Sequence, residues 1–321
     1  MAILRGAIKK MTGSAGEFMF HSESGRTIVR EKPASVKNVR SVAQQRTRMK
    51  FTNIIRMYKA ISPLAICGFE DKAKGVSDYN MFVKVNMYRT PVFLTKAEVA
   101  DRACVAAPYK ITDGSLDKIF VTGKGANAVT NIDLGGLVID ANTTVGEFSS
   151  VVVSLNTDYD KYDLLSFYSV LQYVDEETGT PFVKANACSI KLDPKNQAPL
   201  WTLVNKAGFA SKNGFLAHGE NEGDGVFCWV HSRKKGDGSL LVSSQCLIDN
   251  NTILADYTSE DAYYDAVNTY GGERNVFLDP TTSGNAARPS SSDNGGTSGG
   301  NGGSTPAPNP SSGDDNTGGS F

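Results

Sequence analysis

The chain has 321 residues, of which 40% are hydrophobic and 21% charged, so it can fold as one large domain or two smaller ones. Uninterrupted apolar runs stay well short of the ~18 residues that a membrane-spanning helix needs, which excludes a membrane span. The net charge of −1 conceals a division, because residues 1–60 hold 13 Lys and Arg against 3 Asp and Glu, whereas residues 61–321 hold 20 against 31. The basic first segment is therefore predicted to meet something anionic, which is nucleic acid, an acidic partner or the acidic remainder of the same chain.

The first predicted element is a β-hairpin. Residues 17–21 alternate as a strand does, residues 22–25 have the composition of a turn, and residues 26–30 form the returning strand. Pro33 ends the hairpin.

The clearest predicted helix follows, with a capping box formed by Ser41 and Gln44 at its start and Pro63 at its end. Its predicted apolar face consists of Phe51, Ile54, Ile55, Tyr58 and Ile61. Basic residues on and beside the helix are the candidate contacts for an anion or a partner: Arg40, Arg46, Arg48, Lys50, Arg56 and Lys59.

Two shorter elements come next. Ser77 can cap a second helix, but Met81, Val83, Val85 and Met87 also alternate as in a strand, so the periodicity leaves both options open. Thr95 and Glu98 form another capping box, which predicts a short helix before residue 107.

Residues 110–280 read mainly as strands with short helical inserts. Predicted strands cover residues 164–173, 187–192, 226–231 and 240–248, and predicted helices start near Thr144 and at Ser259. Whether this stretch is one domain or two is left open.

Residues 281–321 contain 10 Gly, 9 Ser and 4 Pro, and are predicted to be a disordered tail because they cannot bury enough apolar surface to offset the entropy of ordering. The expected organisation is a basic hairpin and helix module (1–109), a β-rich domain with short helices (110–280) and this tail. The fold class is α+β, with a mostly antiparallel, β-sandwich-like body.

The strongest metal candidate is the set His218, Cys228 and His231, since His and Cys at short spacing can ligate zinc. If residues 226–231 form a strand, however, Cys228 and His231 point to opposite faces. An ordinary strand is therefore preferred, and neither a metal nor another cofactor is predicted.

The acidic stretch Asn156, Asp158, Asp160 and Asp163 is spaced like a calcium loop. Lys161 stands where that loop needs Gly, and Phe167 stands where it needs a bidentate Glu. The prediction is a solvated turn. No motif selects catalytic residues, so the chain is predicted not to be an enzyme, although a pair of carboxylates brought together only by the fold stays open.

The location of the protein is predicted from two features. Lys9 and Lys10 interrupt the place of a secretory apolar run, so the sequence predicts no signal peptide and synthesis in the cytoplasm. In that setting the five cysteines are expected to be reduced.

Four short stretches carry a resemblance: residues 1–6 (MAILRG), 33–38 (PASVKN), 43–45 (AQQ) and 50–51 (KF). Together they resemble the signatures of a Bacteroidetes family catalogued as a domain of unknown function, over residues 1–90. The resemblance implies a β-rich body with an immunoglobulin-like C-terminal domain, no established catalytic residues, and a role as a surface, prophage or virion component. Residues 110–280 are longer than that domain and do not align with it.

The leading functional hypothesis is a structural or assembly protein, incorporated in a phage virion or surface particle, whose partners are other protein subunits. One alternative is a nucleic-acid-associated protein that uses the basic helix. The other is a carbohydrate-binding β-sandwich with Trp201 or Trp229 as a stacking platform, although core positions are preferred for both tryptophans.

Overall fold

The computed structural model describes residues 2–4, 12–23, 26–34, 42–64, 68–73, 75–219 and 223–270. The predicted tail at 281–321, the Ser41 cap, Arg40 and Cys67 lie outside these residues, as do the side chains of Arg46 and of residues 2–4. The four cysteines that are described (Cys104, Cys188, Cys228 and Cys246) are free thiols.

A four-stranded antiparallel sheet forms the N-terminal part, which we call the N-terminal sheet. Its strands are β1 (Ala2–Leu4), β2 (Gly13–Ala15), β3 (Phe18–Glu23) and β4 (Arg26–Glu31), in the order β1-β4-β3-β2. The pairing of β3 with β4 confirms the predicted hairpin.

Helix α1 (Val42–Ile61) confirms the long predicted helix, but its buried face is rotated from the predicted one. Phe51 is 37% exposed, and the buried positions follow a spacing of three or four residues: Met49, Asn53, Ile54, Met57 and Ile61. Asn53 is accepted in the core because its amide donates to the Val105 carbonyl at 2.9 Å and accepts from the Val105 N–H at 2.8 Å.

Side-chain caps fix the starts of the next helices. Ser77 caps α2 (Asp78–Asn86), which settles the choice between helix and strand in favour of the helix. Thr95 and Glu98 form both bonds of a capping box at α3 (Lys96–Ala100), and Thr144 and Glu147 do the same at α4 (Val145–Leu155).

A five-stranded antiparallel sheet lies at the centre of the fold. Its order is β10-β9-β13-β14, with a further strand, β16, paired to the first residues of β13. The strands are β9 (Leu164–Val174), β10 (Pro181–Lys191), β13 (Gly225–Lys234), β14 (Leu240–Val242) and β16 (Ile248–Asn250).

Strands β9 and β13 are buried on both faces, so their successive side chains alternate between two cores. The helix-side core packs this sheet against α1 and α2, and receives Tyr168, Val170, Val226, Cys228 and Val230. The sheet-side core packs it against α4 and a second sheet, and receives Leu165, Phe167, Phe227 and Trp229.

Two small sheets complete the strands. One has the order β11-β12-β8-β7, from β7 (Val121–Thr122), β8 (Val129–Asp133), β11 (Ala210–Lys212) and β12 (Phe215–Ala217), and it faces the central sheet across the sheet-side core. The other has the order β15-β6-β5, from β5 (Gly68–Phe69), β6 (Lys110–Asp113) and β15 (Gln245–Cys246), and its β5–β6 pair is parallel.

Helices α5 (Leu254–Thr258) and α6 (Glu260–Thr269) end the described chain, and Ser259 caps α6 as predicted. Ala266 and Val267 of α6 join Met49 and Phe93 in a third, small core. The α+β class with mostly antiparallel sheets is thus confirmed. The helix-side core contains residues from before and after residue 110, so its packing crosses the domain boundary that was predicted there.

Candidate functional site

One buried polar group of the body is the Asp163 cluster, formed by Asp163, His231 and Arg233. Asp163 is only 2% exposed. Its Oδ1 accepts from Arg233 Nε at 2.8 Å, and its Oδ2 accepts from Arg233 Nη2 at 2.7 Å and from the Asp160 N–H at 2.8 Å. The His231 Nε2 atom lies 2.8 Å from the same Oδ2. The prediction of a solvated turn at residues 156–163 is therefore wrong for Asp163, which is a buried partner of β13.

The electrostatics of the cluster favour a charged Asp163 and a neutral His231. Burial by itself raises the pKa of Asp163, but the hydrogen bonds from Arg233, from the Asp160 N–H and from His231 outweigh it and hold the pKa below its usual value. Burial lowers the pKa of His231, against the opposing effect of Asp163. The His231 ring also stacks on Tyr159 at 4.3 Å between centroids.

An Asp–His pair can serve as a general base only where a substrate reaches the imidazole. His231 is 1% exposed, so its ring is closed off by the fold. The cluster instead fastens the segment before β9 to the end of β13, since Arg233 also donates to the Asp158 carbonyl at 2.9 Å. We interpret the Asp163 cluster as a structural link between these two segments.

Of the three residues considered for zinc, Cys228 and His231 lie on opposite faces of β13. Cys228 lies in the helix-side core, whereas His231 stacks on Tyr159 of the sheet-side core, which confirms the predicted alternation along β13. His218 stacks on Phe227 at 4.3 Å, and burial, with the nearby Lys212, lowers its pKa to about 4. Within the described ranges, no group of three or more His, Cys, Asp or Glu side chains is placed to hold a metal ion.

The candidate basic residues have different environments. Arg56 donates to the carbonyls of Val99 (2.5 Å) and Ala103 (2.6 Å), so its guanidinium ties α1 to the end of α3, and burial lowers its pKa. Arg48 and Lys50 have contacts of their own, and Lys59 is exposed. Contact of this segment with an anion stays a prediction.

A cleft of about 210 Å³ lies beside β5 and contains three carboxylates, those of Glu70, Asp71 and Asp113. Two of them already bind within the fold. Glu70 accepts from the Val242 N–H at 2.6 Å, and Asp113 pairs with Lys110 at 2.6 Å. Burial raises the pKa of Glu70, but hydrogen bonds from Val242 and Ser115 lower it overall. The arrangement joins the small β15-β6-β5 sheet to β14 and selects no ligand.

The tryptophans do not form an exposed platform together. Trp229 is 1% exposed and its indole N–H donates to the Gly208 carbonyl at 2.7 Å, as expected for a core position. Trp201 packs partly against the same core, with the Lys206 ammonium 4.7 Å above its ring. A carbohydrate site built on Trp229 is therefore ruled out by its burial.

One strand edge differs from the others. Among the described strands, those at the end of a sheet have two or three residues, except β10, which has eleven. Its register with β9 runs without a break from Pro181 opposite Val174 to Lys191 opposite Leu164. A long edge of this kind offers unpaired N–H and C=O groups to another strand. Sequence patterns did not single out β10, because an edge position depends on which strands pair.

Comparison of the chain with protein-family models, curated proteins and solved structures finds no match. In the part of the chain that the structure describes, no helix is both long and apolar enough to cross a membrane.

Proposed function

We propose that this chain is a non-enzymatic structural or assembly protein that contacts other protein subunits through its N-terminal sheet and an open strand edge. The observation that carries the proposal is the position of the N-terminal sheet. Its described side chains belong to none of the three cores, although they include Phe18, Phe20 and Val29. A sheet is stable only when an apolar face is buried against another element. In this proposal, another subunit buries the apolar face of the N-terminal sheet.

The exposed end of this sheet indicates where the cover would lie. Phe20 pairs with Val29, and Ser22 pairs with Thr27, so these residues share one face with Phe18. Thr27 is 1% exposed whereas Phe18 is 52% exposed. The docking area is therefore the Phe18 end of that face.

The buried ionisable groups support a role other than catalysis. Asp163, His231 and Arg233 bind one another, and Arg56 binds backbone carbonyls. Structural ion networks perturb pKa values as active sites do, so the shifts at these residues are compatible with a structural role. The particle that the protein would join, a virion or a surface assembly, rests on the family resemblance of residues 1–90 alone.

The test compares two exposed phenylalanines. Phe18→Ser changes the N-terminal sheet, and Phe120→Ser is the matched control because Phe120 is 62% exposed on the body. Light scattering after size exclusion is expected to give an assembled mass for the native chain and the control, and a smaller mass for Phe18→Ser. A native chain that stays monomeric at every concentration, or an assembly indifferent to Phe18→Ser, contradicts this role for the N-terminal sheet.

A further inference from the structure

The backbone N–H and C=O groups of β10 alternate between residues that face β9 and residues that face away from it, which we call the outward residues. At one end, the Pro181 carbonyl accepts from the Cys104 N–H at 2.7 Å and so faces away from β9. At the other, the Leu192 N–H donates at 2.8 Å to the carbonyl of Asp163, which directly precedes β9. Because facing and outward positions alternate in an antiparallel pair, both ends assign the odd-numbered residues to the outward set. The outward residues after Pro181 are Val183, Ala185, Ala187, Ser189 and Lys191.

Among the residues that the structure describes, no other strand pairs with these outward groups. Across the described chain, Pro181 is the one β10 residue whose outward backbone group has a backbone partner. Proteins commonly shield long edges with a proline, a bulge or a projecting lysine. After Pro181, β10 has neither proline nor bulge.

The two lysines of β10 do not shield its edge. The Lys184 ammonium lies 4.9 Å from the centre of the Tyr173 ring on the neighbouring strand β9. The Lys191 ammonium lies 4.5 Å from the centre of the Tyr162 ring, just before β9. Cation–π attraction therefore holds both charges back over the chain's own aromatic residues.

We propose that β10 pairs antiparallel with β10 of a second copy of this chain, about a twofold axis at Ala187. In this register Ala187 faces the partner's Ala187, Ala185 faces the partner's Ser189, and Val183 faces the partner's Lys191. All five outward residues are then bonded, and Pro181, which has no N–H, is left out. The inference rests on the proposed assembly function and names one of its partners.

The side chains favour a second copy over an unrelated strand. A twofold pairing brings small residues together at the axis, since Ala185, Ala187 and Ser189 are its central outward positions. Lys184 faces the partner's Ile190 and Lys191 faces the partner's Val183, so no lysine faces another lysine. The two central sheets then form one continuous sheet across the dimer.

The first test removes one outward N–H. Ala187→Pro leaves the β9 pairing intact, because proline is tolerated where its missing N–H faces solvent, and Ala187→Ser is the control that keeps the N–H. Ala187→Pro is expected to raise the dimer Kd about thirtyfold, since the axial pair loses both of its hydrogen bonds, one from each copy. Unchanged far-ultraviolet circular dichroism checks that the variant folds.

The second test reads the register directly. Facing residues of a bonded antiparallel pair have Cα atoms about 5.5 Å apart, which a disulfide spans. Ala187→Cys is expected to cross-link two copies under mild oxidation. Ser189→Cys is the control, because its two thiols would stand about 14 Å apart along the strands.

The outcomes separate the inference from the function it rests on. An assembly that survives Ala187→Pro, with no cross-link from Ala187→Cys, overturns the β10 dimer and leaves assembly through the N-terminal sheet in place. A native chain that is monomeric at all concentrations overturns both.

Discussion

The body (residues 42–270) and the N-terminal sheet differ in where their apolar side chains lie. The body buries Trp229, Phe148 and Phe82 in cores formed by its own helices and sheets. The described side chains of the N-terminal sheet enter none of these cores, and Phe18 is left half exposed. Within the described residues, the body therefore has apolar cores of its own, whereas the N-terminal sheet joins none of them and exposes Phe18 at one end.

The largest expected loss of stability comes from disrupting the Asp163 cluster of the body. Asp163→Ala removes the carboxylate that Arg233 and the buried His231 share, although Arg233 keeps Asp160 and the Asp158 carbonyl, and removing the buried member of the Asp163–Arg233 ion pair is expected to cost about 4 kcal/mol. Urea denaturation measures this loss in the free energy of unfolding. Asp160→Ala is the control, because Asp160 binds the same arginine but its side chain is 67% exposed, and it is expected to cost under ~1 kcal/mol. Equal losses of unfolding free energy in both variants contradict a structural role for the Asp163 cluster.

A smaller effect comes from the buried His218. Its pKa is about 4 in the folded protein and about 6.5 when unfolded, so the unfolded state binds more protons between these values. The stability that His218 contributes is complete above pH 6.5 and is lost as the pH falls towards 4, by about 3 kcal/mol. Unfolding free energies of the native chain and of His218→Gln, measured from pH 7 to pH 4, are expected to converge as the pH falls. If the two curves of unfolding free energy against pH run parallel, the lowered pKa of His218 is contradicted.

Sequence reasoning succeeded where the determinants are local. The capping boxes at Thr95 and Thr144 join residues three positions apart, so both helix starts were predictable. The alternation along β13 likewise follows from a single strand and separated Cys228 from His231. The hairpin of β3 and β4 was predicted from its turn composition.

Features set by distant contacts were not predictable. Asp163 meets His231 and Arg233 across 68 and 70 positions, so its own neighbourhood suggested only a solvated turn. The predicted strand at 240–248 is three short strands, because Ser243 bonds to β13 through its N–H and to Thr112 through its carbonyl, and the chain there passes from one sheet to another. The burial of α1 was misjudged at Phe51 because the packing surface, rather than the apolar pattern, selects the buried face.

The most direct test of the difference between the body and the N-terminal sheet is removal of residues 1–34. This deletion leaves α1 and its core residues in place. Thermal unfolding and light scattering are measured on the full chain and on the shortened chain. We expect the free energy of unfolding of the body to change by less than ~0.5 kcal/mol, as for surface changes, while the assembled mass falls to that of the β10 dimer. Loss of the body's cooperative unfolding, or an assembled mass that does not change, would contradict a self-sufficient body with a docking sheet.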